Sequence, residues 1–286
     1  MKVLFINNYI HFKNKNALLK YKNDYTIKSS LDQINLTDFD VVYSPGQQIN
    51  PDLYPTTKFI FGPHFSVFPE KHNIEIISKK NAIYVQPGDW ARDVWRNDPL
   101  CYNLRVETLP FGVETDKFNE ILPLKERNKV FVYFKSRQPN ELAYVKQFLH
   151  DKNIEFVLFN YEKKYNETDY LKYLQEAKYG IWLGRHESQG FALEEALSCN
   201  VPLLVWNVKS MNQEYGYYYS DIPASVIPYW DERCGEQFYN QSEFNNFFNL
   251  FISKLEDYKP RDYIMENLTM EHCEKKLLDL VDSFYK

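Results

Sequence analysis

The sequence predicts an α/β protein built from two domains, each with a parallel sheet. Three observations carry that expectation. Short β-type apolar runs alternate with amphipathic stretches along most of the chain. The alternation restarts at Lys129, after an interval rich in Pro and charge. The chain's 286 residues, 44% of them apolar, suffice for two hydrophobic cores.

In chain order, "KVLFI" at 2–6, "DVVYSPG" at 40–46, "KFIFGPH" at 58–64, "AIYVQPG" at 82–88 and "RVETLPFG" at 105–112 read as strands running into turns. Between them "GDWARDVWRN" reads as a helix. Residues 113–128 lack periodicity and read as a linker. The second half supplies "KVFVYF", a helix near 139–150, "IEFVLF", a helix near 168–177, "YGIWLG", a helix after Ser188, and "VPLLVW". From about Gln241 the pattern is helical, interrupted at Pro260 and closed by "EHCEKKLLDLVDSF". The expected layout is therefore a first domain over 1–112, a linker over 113–128, a second domain over 129–258 and C-terminal helices over 259–286.

Composition excludes several classes. A net charge of −5 argues against a broad polyanion-binding surface, so nucleic acid is not an expected partner. Cys101, Cys199, Cys234 and Cys273 form neither a C-x-x-C pair nor a dense disulfide framework, which suits a reducing compartment and predicts a cytoplasmic protein. No apolar run approaches the roughly 18 residues that span a bilayer, which leaves room only for peripheral membrane contact. Neither half opens with G-x-G-x-x-G or G-x-x-x-x-G-K-[ST], which disfavours a dinucleotide oxidoreductase or a P-loop NTPase. The abundance of Tyr, Phe, Asn and Lys reads as codon bias. The four N-x-[ST] matches follow from it and carry no weight.

The informative segment is "GRHESQGFALEEALSCNVPLLVW", Gly184 to Trp206. Arg185, His186 and Glu187 fall at the carboxyl end of an expected strand, where ligands of open α/β sheets bind. Ser188 is placed to cap the following helix, and Gly190 lets a ligand approach the backbone at an anion-favouring helix start. Ala192, Leu193, Ala196 and Leu197 share the buried face, which leaves Glu194 and Glu195 to the side or outside, Glu194 as a solvated carboxylate. Glu187 and Glu195 are eight positions apart, about 12 Å if the span were helical, so they would grip an elongated ligand lengthwise rather than flank one bond as glycosidase carboxylates do. Tyr215 to Tyr219, "YGYYY", reads as a half-buried loop rather than a stacking surface.

"HESQGFALEEALSCNVPLLV" resembles the donor-site motif of the retaining glycosyltransferases of family 4, in which two Glu separated by seven residues precede a small-residue helix and a P-[VL]-[VL] strand. "VQPGDWARDVWRN" followed by "LRVETLPFGVETDKF" is similar to the same family's passage between domains. The resemblance spans roughly residues 80 to 210. It implies a GT-B fold: two Rossmann-like domains facing a cleft, a nucleotide-sugar donor held mainly by the second, a glycan or other hydroxyl acceptor held mainly by the first, and a C-terminal helix crossing back. It further implies that Glu195 holds the ribose and Glu187 the donor sugar. The backbone at Gly190, Phe191 and Ala192 would meet the diphosphate, with Ser188 and His186 also among the donor-binding residues. Lys135 and Arg137 would supply the counter-charge, so that neither metal nor cofactor is required. His64, in "FGPHF", would be a histidine facing the reaction. Two departures from the family are plain. The Lys expected five positions after the Arg is missing, and "FINNYIHFKNKN" lacks the usual paired glycines. The expected function is transfer of a hexose from a UDP- or GDP-sugar with retention of configuration. The competing expectation is a catalytically silent nucleotide-sugar-binding subunit of another transferase.

Overall fold

The computed structural model describes residues 1–163 and 165–286. The chain divides into two compact units, one formed by Met1–Gly112 with Met270–Lys286 and the other by Val113–Thr269. Each is a layered α/β unit around one wholly parallel sheet.

The first unit carries β1 (Val3–Ile6), β2 (Thr26–Lys28), β3 (Val41–Ser44), β4 (Lys58–Phe61), β5 (Ala82–Gln86) and β6 (Arg105–Thr108), in the order β2-β1-β3-β4-β5-β6. β1, β3 and β5 are buried along their whole length, as strands covered on both faces must be, which is why they read as continuous apolar runs. β2 was not expected. It is a three-residue edge strand with one apolar residue, too short and polar to register as a pattern. Helices α1 (Phe12–Leu19), α2 (Lys71–Ile77) and α3 (Asp89–Arg96) connect the strands. Trp95 of α3 stacks on Tyr84 of β5 at 4.0 Å between ring centroids, which anchors that helix to the sheet. The final helix α9 (Met270–Asp282) belongs to this unit. Its Glu274 accepts the backbone N–H groups of Lys22 and Asn23, the Asn23 amide and the Tyr25 hydroxyl, all within 2.9 Å.

The second unit carries β7 (Lys129–Phe134), β8 (Val157–Asn160), β9 (Ala177–Leu183), β10 (Leu203–Trp206) and β11 (Gly235–Phe238), in the order β11-β10-β9-β7-β8. Its helices are α4 (Pro139–Asp151), α5 (Glu167–Glu176), α6 (Phe191–Ser198), α7 (Phe244–Ser253) and α8 (Pro260–Asn267). β11, "GEQF", is a polar edge strand that the apolar pattern could not show.

Two expected boundaries shift. Residues 113–128 pack as part of the second unit: Arg127 is buried and donates to the carbonyls of Leu122, Ala177, Cys199 and Asn200, while Phe118 O accepts from Ser198 and Arg261. Of the expected C-terminal segment 259–286, α8 stays with the second unit and only Met270–Lys286 joins the first.

In the second sheet, β7 runs to β8 on one side while β9 lies on the other, so the chain reverses direction across the sheet between β7 and β9. A crevice opens beyond the carboxyl ends of strands at such a point.

Candidate functional site

The two loops at that reversal are Lys135–Gln138, after β7, and Gly184–Gly190, after β9. Lys135 N–H still donates to Leu183 O at 3.0 Å, extending the β7–β9 ladder by one rung and fixing where the lysine departs. Its ammonium lies 2.5 Å from Glu187 Oε1 and 4.2 Å from the Tyr161 ring centroid. Glu187 is anchored through its own N–H, which donates to Ser225 O at 2.9 Å. The structure thus brings together the lysine and the first carboxylate that the sequence singled out.

Arg137 stands elsewhere. It is 1% exposed, and its guanidinium forms a two-pronged pair with Glu141 at 2.8 Å while donating to the carbonyls of Gly184 and Trp206. The planar fork ties α4 to the ends of β9 and β10, a structural engagement that the sequence did not indicate. The second cation beside Glu187 is Arg185, whose Nε lies 3.9 Å from Glu187 Oε1 and whose Nη1 lies 3.3 Å from Glu214 Oε2. Adjacency to Glu187 was the only sequence signal for Arg185. Glu214 had none, lying in a distant loop.

His186 is buried, with Nε2 3.4 Å from Glu214 Oε2 and its ring edge-on to Tyr219 at 5.5 Å. Burial, reinforced by the Arg185 charge, lowers its pKa to about 4, so it is a neutral imidazole at physiological pH. Burial pushes Glu214 up against the opposing pull of Arg185.

Helix α6 begins later than expected. Its N-cap is Gly190, not Ser188, and Gly190 adopts φ +89° and ψ 35°. A Cβ added there would meet Pro228 and Glu187 only at 3.6 and 3.7 Å, so the glycine is required by its left-handed backbone rather than by lack of room. Ser188 accordingly belongs to the turn before the helix, and Phe191 and Ala192 form the first turn, whose N–H groups are the anion-favouring end. At the other end, Arg127 and Arg261 donate to the carbonyls of Cys199, Asn200 and Ser198, which places cations on the negative pole of the helix.

Both carboxylates of α6 are inside, contrary to the expectation from its spacing. Glu194 is 0% exposed, and Gln189 Nε2 donates to its two oxygens at 2.8 and 3.0 Å. The helix is covered on several sides, partly by α8, so a one-face pattern does not describe it. Glu195 is also buried and acts on a tyrosine cluster: its charge contributes to raising the hydroxyl pKa values of Tyr165 and Tyr170, for which burial is the main cause. Tyr165 in turn hydrogen-bonds Tyr133, which stacks on Trp182 at 3.9 Å. Tyr133, Tyr161 and Tyr165 were missed because one tyrosine among 23 carries no signal in sequence.

His64 lies in the first unit, where its Nε2 pairs with Asn14 Nδ2 at 3.1 Å. Burial, with a smaller effect of His11, lowers its pKa to about 4. The aromatic loop also departs from expectation: Tyr215, Tyr217 and Tyr218 are 47%, 56% and 106% exposed, not half-buried. Among the described residues no helix is long and apolar enough to cross a membrane, and no group of three or more His, Cys, Asp or Glu is arranged to hold a metal ion.

No protein-family model matches the chain, and no curated protein matches it in sequence. Solved structures do. The chain is similar to the lipopolysaccharide outer core galactosyltransferase WaaB in its apo form, with a TM-score of 0.56 and 13% identity over 99% of this chain and 99% of that one. It is similar to the catalytic domain of starch synthase IV from Arabidopsis thaliana bound to ADP and acarbose, with a TM-score of 0.54 and 9% identity over 86% of this chain and 73% of that one. Sucrose-phosphate synthase from Thermosynechococcus elongatus gives a TM-score of 0.52 and 10% identity over 87% of this chain and 74% of that one. At such identities the likeness is one of architecture: this chain has the two-unit α/β fold of GT-B glycosyltransferases.

Proposed function

We propose that the chain is a glycosyltransferase that moves a hexose from a UDP- or GDP-sugar to a hydroxyl of a glycan or similar acceptor, with retention of configuration and without a metal ion. The observation that carries this reading is the Lys135–Glu187 pair at the strand reversal of the second sheet, next to the Gly190 start of α6. The GT-B architecture, shared with structures whose names are those of sugar transferases, supports it.

In this reading the bond between the sugar's anomeric carbon and the diphosphate breaks, and the acceptor oxygen bonds to that carbon. The acceptor proton leaves toward the departing diphosphate. Negative charge grows on the leaving group while the sugar becomes cationic, so groups already in place on both sides stabilise the transition state. Lys135 carries three N–H donors and can hold Glu187 and a phosphate oxygen together. Arg185 supplies a second positive charge. The first turn of α6, at Phe191 and Ala192, would face the diphosphate. Glu187 would accept from the donor-sugar hydroxyls near the developing cation, and Glu195, beside Tyr165, would take the ribose.

The test is binding followed by turnover. UDP or GDP at 100 times its dissociation constant should stabilise the fold by about 2.7 kcal/mol, with EDTA present. Incubation with a UDP- or GDP-sugar should then release the nucleoside diphosphate, and NMR of the product should give the donor's anomeric configuration. Absence of a thermal shift with every nucleoside diphosphate at millimolar concentration would overturn the reading. Binding without turnover would assign the chain to a silent subunit instead.

A further inference from the structure

The segment from Asn207 to Ile227 is a closed projection with a firmly bonded root. Asn207 Oδ1 accepts from the N–H groups of Val208 and Val226 at 2.8 and 2.9 Å and from Ser225 Oγ at 3.3 Å. Ser210 forms an antiparallel bridge with Pro223, Met211 N–H donates to Ile222 O at 2.9 Å, and Ala224 N–H donates to Lys209 O at 3.2 Å. Gln213 Oε1 gathers the N–H groups of Lys209 and Ser210. Ordering a chain costs entropy, and here that cost is met during folding, so the tip is presented without a further ordering penalty on binding.

That tip, "YGYYYSD" over 215–221, turns at Gly216 with φ +86°. It has no aliphatic side chain and no cation. Tyr217 and Tyr219, two apart, stack within 8° of parallel at 5.8 Å, and Tyr219 meets the edge of His186. Tyr215 N–H donates to Ser136 O at 2.8 Å, one residue from Lys135, so the aromatic tip is tied to the loop that carries the site's lysine. Tyr217 and Tyr218 nevertheless stand in solvent.

We infer that this tip is a carbohydrate-binding platform that seats pyranose rings of a glycan beside the Lys135–Glu187 site. A pyranose presents one face of C–H groups with partial positive charge, which suits the electron-rich face of an aromatic ring. Its rim of hydroxyls suits the phenol oxygens, Ser220 and Asp221. An anionic lipid surface calls for Lys or Arg together with inserted aliphatic groups, neither of which the tip offers. A stable protein partner calls for about 800 Å² per side, far beyond a few rings on one turn. The inference rests on the transferase reading, in which a glycan is the acceptor, and it places glycan recognition on the second unit.

The experiment uses the full chain and compares it with Tyr217→Ala/Tyr218→Ala, two exposed positions whose loss does not disturb the root. Maltohexaose, cellohexaose and chitohexaose are the probes, read by saturation-transfer NMR and calorimetry, with UDP and GDP titrated separately. At least one hexasaccharide should bind, receive saturation from tyrosine ring protons, and lose tenfold or more affinity in the double variant, with nucleoside diphosphate affinity unchanged. The inference is overturned if no hexasaccharide binds at millimolar concentration or if the variant binds as well as the wild type. It is equally overturned if the variant instead abolishes self-association in sedimentation or flotation with phosphatidylserine vesicles. Nucleoside diphosphate binding without glycan binding would remove the platform and leave the donor site standing. The reverse result would remove the donor site alone.

Discussion

Replacing Glu194 with Gln should be costly, although its place on a short helix beside Glu195 reads as a solvated surface position. The carboxylate is 0% exposed and accepts from Gln189 Nε2 with both oxygens. Gln keeps the volume but turns one acceptor into an amide donor facing the donor of Gln189. One contact is lost and one buried polar group is left opposing another, a penalty of about 1–3 kcal/mol. For a unit the size of Val113–Thr269, each kcal/mol lowers the melting temperature by about 2–4 °C, so the shift should fall between about 2 and 12 °C. The consequence also reaches the site, because Gln189 immediately precedes Gly190, whose left-handed turn starts α6. Thermal unfolding of wild type, Glu194→Gln, Gln189→Leu and the double variant would give the coupling, expected at about 0.5–3 kcal/mol for two groups in direct contact. A Glu194→Gln stability within about 0.5 kcal/mol of wild type, or two substitutions that add without coupling, would refute a buried Gln189–Glu194 pair.

Lys135→Met should weaken nucleoside diphosphate binding about tenfold or more, because a charge-assisted contact is worth about 1.5–3 kcal/mol. Glu187→Gln should retain binding while turnover falls by a factor of roughly ten to a thousand, and calorimetry beside initial rates separates the two effects. Burial holds both His64 and His186 near pKa 4, below the unfolded value of about 6.5, so the unfolded chain takes up these protons first. Each histidine therefore contributes stability that is complete above about pH 6.5 and is lost as pH falls toward 4, by up to about 3 kcal/mol. Denaturant titrations of His186→Gln against wild type from pH 7 to 4 should show a shallower loss in the variant, and equal slopes would refute the assignment. Burial pushes the thiols of Cys101, Cys199 and Cys234 up to about 12, so iodoacetamide at pH 8 should leave all three unmodified in the native protein and label them on unfolding, as mass spectrometry would show.

Much of the architecture was legible because a strand buried on both faces must be apolar throughout. "KVFVYF" matched β7 residue for residue, and "AIYVQ" of "AIYVQPG" is β5. The edge strands β2 and β11 were invisible for the complementary reason, that an edge half in water needs no apolar run. Lys135 and Glu187 could be picked out singly, from their places after expected strands and from a motif, but spacing along a chain does not say which side chains converge. That Lys135 meets Glu187 follows from the order β9-β7-β8, a long-range pairing. That pairing, with β10 beside β9, also brings the carbonyls of Gly184 and Trp206 to Arg137 and sets Arg185 beside Glu187. Glu194 and Glu195 went inside because layers closed around α6 from more than one direction, which a single-helix pattern cannot express. By itself the sequence determined the alternation of elements, the restart that makes two units, and the loops in which polar chemistry would stand, since local periodicity and turn residues act over a few positions. Only the tertiary structure decided which charges pair, which are buried and which tyrosines remain in water, because those outcomes depend on neighbours tens of residues away.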